Sequence, residues 1–570
     1  MKHLHFMALF VLALVTLGAA ENYLINGGQE SQIIYRMVQK VEPAPGTQKL
    51  ILSFVIPETF SSPTYNQTIS SFQIDFTVPP STREENTDDR GNKILRVTWN
   101  RPSRPVESII QMVSRNRTGL QSLKTTAPFP LRDLKEDERV YLGSSKQVAA
   151  THPDIVALAK KLTAQSKTEF DAVQKILTFV VDHLHYVLVP QSYDALYSLS
   201  SGKGNCQNYS HLAAALMRAA GIPSRIVNGI TLKEPYDVRL SNGTLTLRMA
   251  QGRHSWIEVF FPDLGWVPFD PQQTALYVSN RFIRVEVGVD NDETCNDGLI
   301  RWTQQQGVQG QPQYEEIITA NLAADRVDLR AEKQNYGPRK MLFLPAVEAS
   351  FTKPTAPPLP QAPAPQKPLA SRSLRQMAFS EPYSQGNLEF PQNIDFGTTR
   401  GPAQKLESGQ MEMRKNFMVE TSEYVTTQGN QYAQTFILKN PVKLAKVGLV
   451  LHKFGGDGQL WVEIFRDDGH GKPGEYVATS DYLPVAQMKY APGYDWFDFT
   501  FAADAPLLPE GRYWIALGFT GSPIINWFFT YGKPVGPEDG TRYKTLFDET
   551  WSRSLSYEFN YRIIGMATSE

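Results

Sequence analysis

Gly202-Lys203-Gly204-Asn205-Cys206-Gln207-Asn208-Tyr209-Ser210 is the stretch whose reading decides the fold. Cys206 follows two glycines and an asparagine, and it opens a run in which Leu212, Ala213, Leu216, Ala219 and Ala220 recur at helical spacing. The spacing predicts a helix with Cys206 at its N-terminus. There the free backbone N–H groups and the positive end of the macrodipole favour an anion, the form in which a cysteine is a nucleophile. Gly221 ends the helix where a left-handed residue is needed, and Pro223 keeps it from resuming. Ser224 to Thr231 then reads as a strand. A cysteine at a helix start is by itself more often a core residue, so the surrounding chain has to decide.

Upstream, Pro153 suits a first helical position, with Ile155, Leu158 and Leu162 following on one face. A second helix is predicted from Thr168, with Asp171 as a variant capping box and Val173, Ile176, Leu177, Val180, Val181 and Leu184 on its apolar face. Residues 186–201 are irregular apart from a short helix at Asp194–Leu199. Downstream, residues 233–247 read as a loop or β-excursion. His254-Ser255-Trp256-Ile257-Glu258-Val259-Phe260-Phe261 reads as a strand, Pro262-Asp263-Leu264-Gly265 as a turn, and Trp266-Val267-Pro268-Phe269-Asp270 as the antiparallel return.

Register decides whether His254 and Asp270 can meet. A two-residue loop at Asp263-Leu264 pairs Asp270 with Ile257 and puts the two side chains on opposite faces. A three-residue loop Asp263-Leu264-Gly265, with Gly265 left-handed, puts them on one face but offset along the ladder. In the second case Cys206, His254 and Asp270 form a nucleophile, a base and an orienting acid.

These blocks carry a resemblance. Gly202-Lys203-Gly204-Asn205-Cys206, the run Ala215-Leu216-Met217-Arg218-Ala219-Ala220-Gly221-Ile222-Pro223-Ser224-Arg225, His254-Ser255-Trp256-Ile257-Glu258-Val259 and Gly265-Trp266-Val267-Pro268-Phe269-Asp270-Pro271 resemble the transglutaminase-like core of the papain-type cysteine enzymes. The resemblance spans about residues 151–274 and implies an α+β core in which a cysteine helix packs on an antiparallel sheet. It carries the nucleophile to Cys206, the base to His254 and the orienting acid to Asp270. It implies a thioester at the cysteine, resolved by water in a protease or amidase and by an amine in a cross-linker. The Cys206 backbone N–H is one expected oxyanion donor; Gln191 is a suggestion for the other.

The rest of the chain reads as multidomain. At 570 residues it exceeds what one core fills. With 57 basic and 58 acidic residues it lacks a nucleic-acid footprint. Residues 1–20 read as a signal peptide, Lys2 and an apolar run from Phe6 to Leu17 preceding Gly18-Ala19-Ala20, so a periplasmic or secreted protein without a membrane anchor is expected. Residues 22–148, with period-two runs, read as an N-terminal all-β sandwich. Residues 149–336 read as the core with trailing strands, and 337–409 as a linker centred on the Pro-rich 354–368. Residues 410–567 read as a C-terminal all-β, jelly-roll-like sandwich.

Export raises the prospect of a Cys206–Cys295 disulfide, but one bridge would silence the nucleophile, and Cys295 is expected in a polar loop instead. Asp290, Asp292 and Asp297 are weighed as Ca²⁺ ligands against a solvated acidic loop, which the incomplete spacing favours; no cofactor is expected. Trp461, Trp496, Trp514, Trp527 and Trp551 are read as core packing ahead of a carbohydrate platform. The leading function is cysteine-dependent hydrolysis of peptide or isopeptide amides in a protein or peptide substrate. Amine transfer and a non-catalytic surface-binding or scaffold protein are the alternatives.

Overall fold

The computed structural model describes residues 22–121, 125–187, 190–240, 243–247, 249, 251–272, 276–334, 342–343, 374–387, 403–413, 419–420, 422–424, 430–489, 494–501, 505–530, 540–545, 548–551, 553–555 and 558–568. The expected signal peptide and the Pro-rich 354–368 stretch lie outside these residues. The chain is mostly β, with several sheets; the helices longer than one turn among the described residues lie between residues 153 and 219.

Those helices begin where the sequence supplies caps. Pro153–Thr163 has Pro153 at its first position and His152 Nδ1 accepting from the Asp154 N–H. Glu169–His183 is capped by Thr168, whose Oγ1 accepts from the Asp171 N–H at 3.4 Å. Only this half of the expected capping box is seen, because the Asp171 carboxylate turns to Lys175 Nζ, 2.8 Å away. Asp194 caps Ala195–Ser201, and Asn205 caps Cys206–Ala219. The helix ends on Gly221, with φ +80°, as its position predicts.

The cysteine helix packs on an antiparallel sheet ordered Gly265–Phe269, Gln251–Phe261, Ser224–Thr231, Phe282–Gly288. One apolar cluster joins them: Leu212, Ala213 and Leu216 of the helix meet Ile257, Val259 and Phe261 of the sheet and Val173, Ile176 and Val180 of the preceding helix. Burying about 1.5–3 kcal/mol of apolar side chain at each such position holds the helix start against the sheet edge.

Two further sheets enclose this core. The long strand Asn22–Glu42 pairs with Val106–Leu120 on one side and Gln313–Gln334 on the other. Thr47–Ile56 pairs with Lys93–Asn100 and Leu299–Gln304. The two sheets share Ile33, Tyr35, Met37, Leu52, Phe54, Val97, Ile110 and Trp302. Leu299–Gln304 and Gln313–Gln334, grouped with the core by sequence order, therefore pair with strands that precede it. Ile230 and Ile283 of the sheet under the cysteine helix enter the same cluster, which ties the two units together.

The C-terminal unit also has two sheets around one cluster, with Phe436, Leu451, Val462, Ile515, Trp527 and Ile563 at its centre. Part of the expected linker belongs to it: Phe379–Gly386 pairs with Tyr561–Thr568 as an edge strand, where Pro382 is tolerated. Met411–Met413 instead pairs back onto Leu299–Gln304. The excursion at residues 233–247 is a hairpin, Tyr236–Leu240 with Gly243–Leu247. One of its strands pairs with Gln313–Gln334 and the other with Arg553–Leu555, so backbone ladders run through it from one unit to the next. Among the described residues no helix is long and apolar enough to cross a membrane.

Candidate active site

Cys206 occupies the first position of its helix, and the loop before it is fixed by Asn208. The Asn208 Oδ1 accepts from the Asn205 N–H at 3.1 Å, and its Nδ2 donates to the Ser192 carbonyl and to Ser198 Oγ, both at 2.9 Å. Gly204 makes room for it: a Cβ there would lie 2.2 Å from the Asn208 Cβ. Asn208 stands three residues after the N-cap Asn205, the spacing of a capping box, which is the signal in the sequence for this role.

The hairpin register brings His254 and Asp270 together. Phe261 pairs with Gly265 and Ile257 with Phe269, so the loop is Pro262-Asp263-Leu264, and Gly265 has φ +72°. This is a three-residue loop beginning one residue earlier than the expected one, with the left-handed glycine closing it. The ladder then places Asp270 across from Trp256, two positions from His254 and on its face, within diagonal reach. His254 Nε2 and Asp270 Oδ2 are 2.7 Å apart, and Asp270 Oδ1 accepts from the Gln272 N–H at 3.0 Å.

Cys206, His254 and Asp270 are each 0% exposed. Burial by itself would pull the His254 imidazole down. The Asp270 carboxylate, by charge and by hydrogen bond, outweighs it, and Cys206 adds to the same effect, so the pKa is pushed up to about 10. Nδ1 is the other ring nitrogen; among the described residues it is buried without an oxygen or nitrogen partner, and Cys206 neighbours the ring. Trp256 and Phe282 wall the imidazole at ring distances of 6.0 and 5.6 Å. Gly229 leaves room for Trp256, since a Cβ there would meet the indole at 2.1 Å. These rings help to bury the imidazole–carboxylate pair.

Gln191 is exposed, its N–H directed to the Tyr197 hydroxyl at 3.5 Å. The expected solvated acidic loop is instead largely built into the protein. Asp290 and Asp297 are buried. Asp290 accepts from the Gln147, Asp292 and Glu293 N–H groups, and Asp297 from the Val55 N–H and Arg253. Their oxygens serve those donors, and among the described residues no acid, histidine or cysteine group converges as a metal set. Among the described residues no disulfide joins Cys206 and Cys295; the partly buried Cys295 directs Sγ to the Asp292 carbonyl at 3.0 Å.

A cysteine at a helix start, with a histidine and an aspartate paired on the adjoining sheet, defines a papain-type arrangement. Residues 156–271 match the transglutaminase-like superfamily, so the chain carries a transglutaminase-like domain, of a class that includes cysteine hydrolases and acyl transferases. A Bacillus subtilis protein described as uncharacterized YebA is 32% identical over 144 residues, 24% of this chain and 20% of that protein. The match thus spans about a fifth of that relative's length. Among solved structures, a protein from Cytophaga hutchinsonii titled as a cysteine protease by inference is 16% identical, covering 56% of this chain and 95% of the other with a TM-score of 0.37. The periplasmic domain of TgpA from Pseudomonas aeruginosa is 16% identical, covering 42% of this chain and 87% of the other, with a TM-score of 0.22.

Proposed function

We propose that this protein is an exported cysteine hydrolase that cleaves peptide or isopeptide amides through an acyl-enzyme on Cys206. The observation that carries the proposal is the buried His254–Asp270 pair, with its free ring nitrogen beside Cys206 at the helix start. Asp270 favours the imidazolium, so the thiol proton passes to His254 Nδ1 before Sγ adds to the carbonyl, and Nδ1 gives that proton to the leaving nitrogen as the C–N bond breaks. Asp270 holds the tautomer and the charge. Water, activated by the same imidazole, then releases the acid.

Water is favoured over an amine as acceptor because an amine needs a binding channel of its own. The two tryptophans between residues 151 and 274 are committed to packing: Trp256 is 1% exposed beside His254, and Trp266 stacks with Arg225 at 4.1 Å and meets Tyr141 edge-on. A glutamine peptide incubated with the full chain, with and without millimolar primary amine, tests this. Cys206-dependent release of free acid, little changed by amine, is expected; amine incorporation outrunning hydrolysis contradicts it. A chain inert in both assays supports the non-catalytic scaffold reading.

We read the two outer β units as sandwiches that place the core on its substrate. On the C-terminal unit, Trp461 lies over Gly518 with its indole N–H on Glu463 and meets the exposed Tyr482 at 5.2 Å. An aromatic face beside a carboxylate suits carbohydrate contact. Loss of retention on insoluble polysaccharide in Trp461→Ala is the expected result, and unchanged retention contradicts it. Export is tested by N-terminal sequencing, with a mature chain beginning at Glu21 expected and one retaining Met1 contradicting it.

A further inference from the structure

Tyr186 is a buried phenol with an unanswered hydroxyl. Its side chain is 3% exposed, and among the described residues its Oη has no hydrogen-bond partner. Leaving a buried hydroxyl without a partner is destabilising, so native proteins rarely keep one without a use. Its position suggests the use. His185–Tyr186 pairs in parallel with Lys203–Gly204, Tyr186 against Gly204, and the Val187 N–H donates to the Gly204 carbonyl at 3.0 Å. The residue is thereby bonded into the loop that ends, two residues later, at the nucleophile.

We propose that Tyr186 Oη–H is the side-chain donor of the oxyanion hole, acting with the Cys206 backbone N–H. That N–H, at the first helical position, has no intrahelical acceptor. Burial, then the charge of Cys206, then Tyr193 hold the phenol well above its usual pKa of 10, so it remains a donor. As Sγ bonds to the carbonyl carbon, the π pair moves to oxygen, and the thiol proton rests on His254. Tyr186 hydrogen-bonds that oxyanion without giving up its proton. When the carbonyl re-forms, the C–N bond breaks and His254 protonates the departing nitrogen. The hydroxyl is unpartnered in the free protein because its partner arrives with the substrate.

The inference rests on the acyl-transfer reading of Cys206, and one set of measurements separates the two. The full chain, Tyr186→Phe and Cys206→Ala are compared by the p-nitrophenolate burst from p-nitrophenyl acetate, by iodoacetamide alkylation of Cys206, and by melting temperature. Acetylation forms an oxyanion; alkylation is a displacement that forms none. Tyr186→Phe should slow acetylation about 10²–10³-fold. Its alkylation rate should match wild type, and its melting temperature should be unchanged or higher, because a buried polar orphan is removed. Acetylation at the wild-type rate, alkylation falling in step with acetylation, or a clear loss of thermal stability each overturns the role. If wild type itself shows no burst above Cys206→Ala, the acyl-transfer reading fails, and the role of Tyr186 fails with it.

Discussion

Arg253 and His254 are consecutive on one strand, both buried, and both face carboxylates, yet their surroundings are built differently. Arg253 pairs with Asp297 through Nη1 and with Glu316 through Nε and Nη2, while Glu316 also accepts from the Tyr314 hydroxyl at 2.6 Å. It bridges Gln251–Phe261 to Gln313–Gln334 of the enclosing sheet, and its charge is answered from both sides. His254 has one nitrogen answered by Asp270 and one left open toward Cys206. A closed ionic network fixes the strand; the open valence next to it is available for chemistry.

The sharpest way to break this comparison is Asp270→Asn. It keeps shape but removes the charge that holds the imidazole in its working state, and acylation of Cys206 should fall by about 10²–10⁴-fold. Burst kinetics measure it, and a loss of less than tenfold would mean that the pair is structural like its neighbour. Next, Arg253→Met should cost about 3–5 kcal/mol in denaturant unfolding, because Asp297 and Glu316 are left buried without their cation. Cys206→Ala should stay close to wild type in the same experiment. If Arg253→Met unfolds no more easily than Cys206→Ala, the contrast between closed and open networks is lost.

A smaller effect separates a second buried acid from the site. Glu169 is fully buried, among the described residues neither carboxylate oxygen has a hydrogen-bond partner, and burial, reinforced by Asp263, raises its pKa from 4.5 to about 9. The folded state then holds a proton that the unfolded state releases, so stability falls as pH rises from about 4.5 and levels off above about 9. Glu169→Gln should flatten that part of the pH–melting curve and melt higher at pH 8; an unchanged slope would contradict the buried neutral acid.

For His254 the sign is also set by a raised pKa. Its contribution to stability is full below 6.5 and is lost as pH rises through about 10, and amide cleavage should decline over the upper part of the same range as the general acid loses its proton. A rate still rising at pH 10.5 would contradict this.

The parts legible in the sequence were local ones. Helix spacing, Gly221 and Pro223 identify the cysteine helix from neighbours alone, and the structure places it at Cys206–Ala219. The meeting of His254 and Asp270 depended on one residue of loop length. Periodicity left two registers open, and the Phe261–Gly265 pairing matches neither: the three-residue loop starts one residue earlier, at Pro262, and still leaves the two side chains on one face. The pairing of Gln313–Gln334 with Asn22–Glu42 joins residues nearly three hundred positions apart, for which no local pattern exists. Burial of acids was equally hidden. Asp290 and Asp297 read as solvated because their sequence is polar, but their donors come from residues 147, 55 and 253. Tyr186 lay in a stretch with no clear period, and only its ladder with Lys203–Gly204 ties it to the site.

The central claim is that the open nitrogen of His254 makes Cys206 an acyl acceptor. Acid quenching of the full chain during turnover of a glutamine peptide, followed by peptide mass mapping, tests it most directly. The account predicts a hydroxylamine-labile acyl group on Cys206 and none on Cys295, absent when His254 is replaced by alanine. Turnover with no acyl group on Cys206, or an equal acyl load on Cys295, would contradict it.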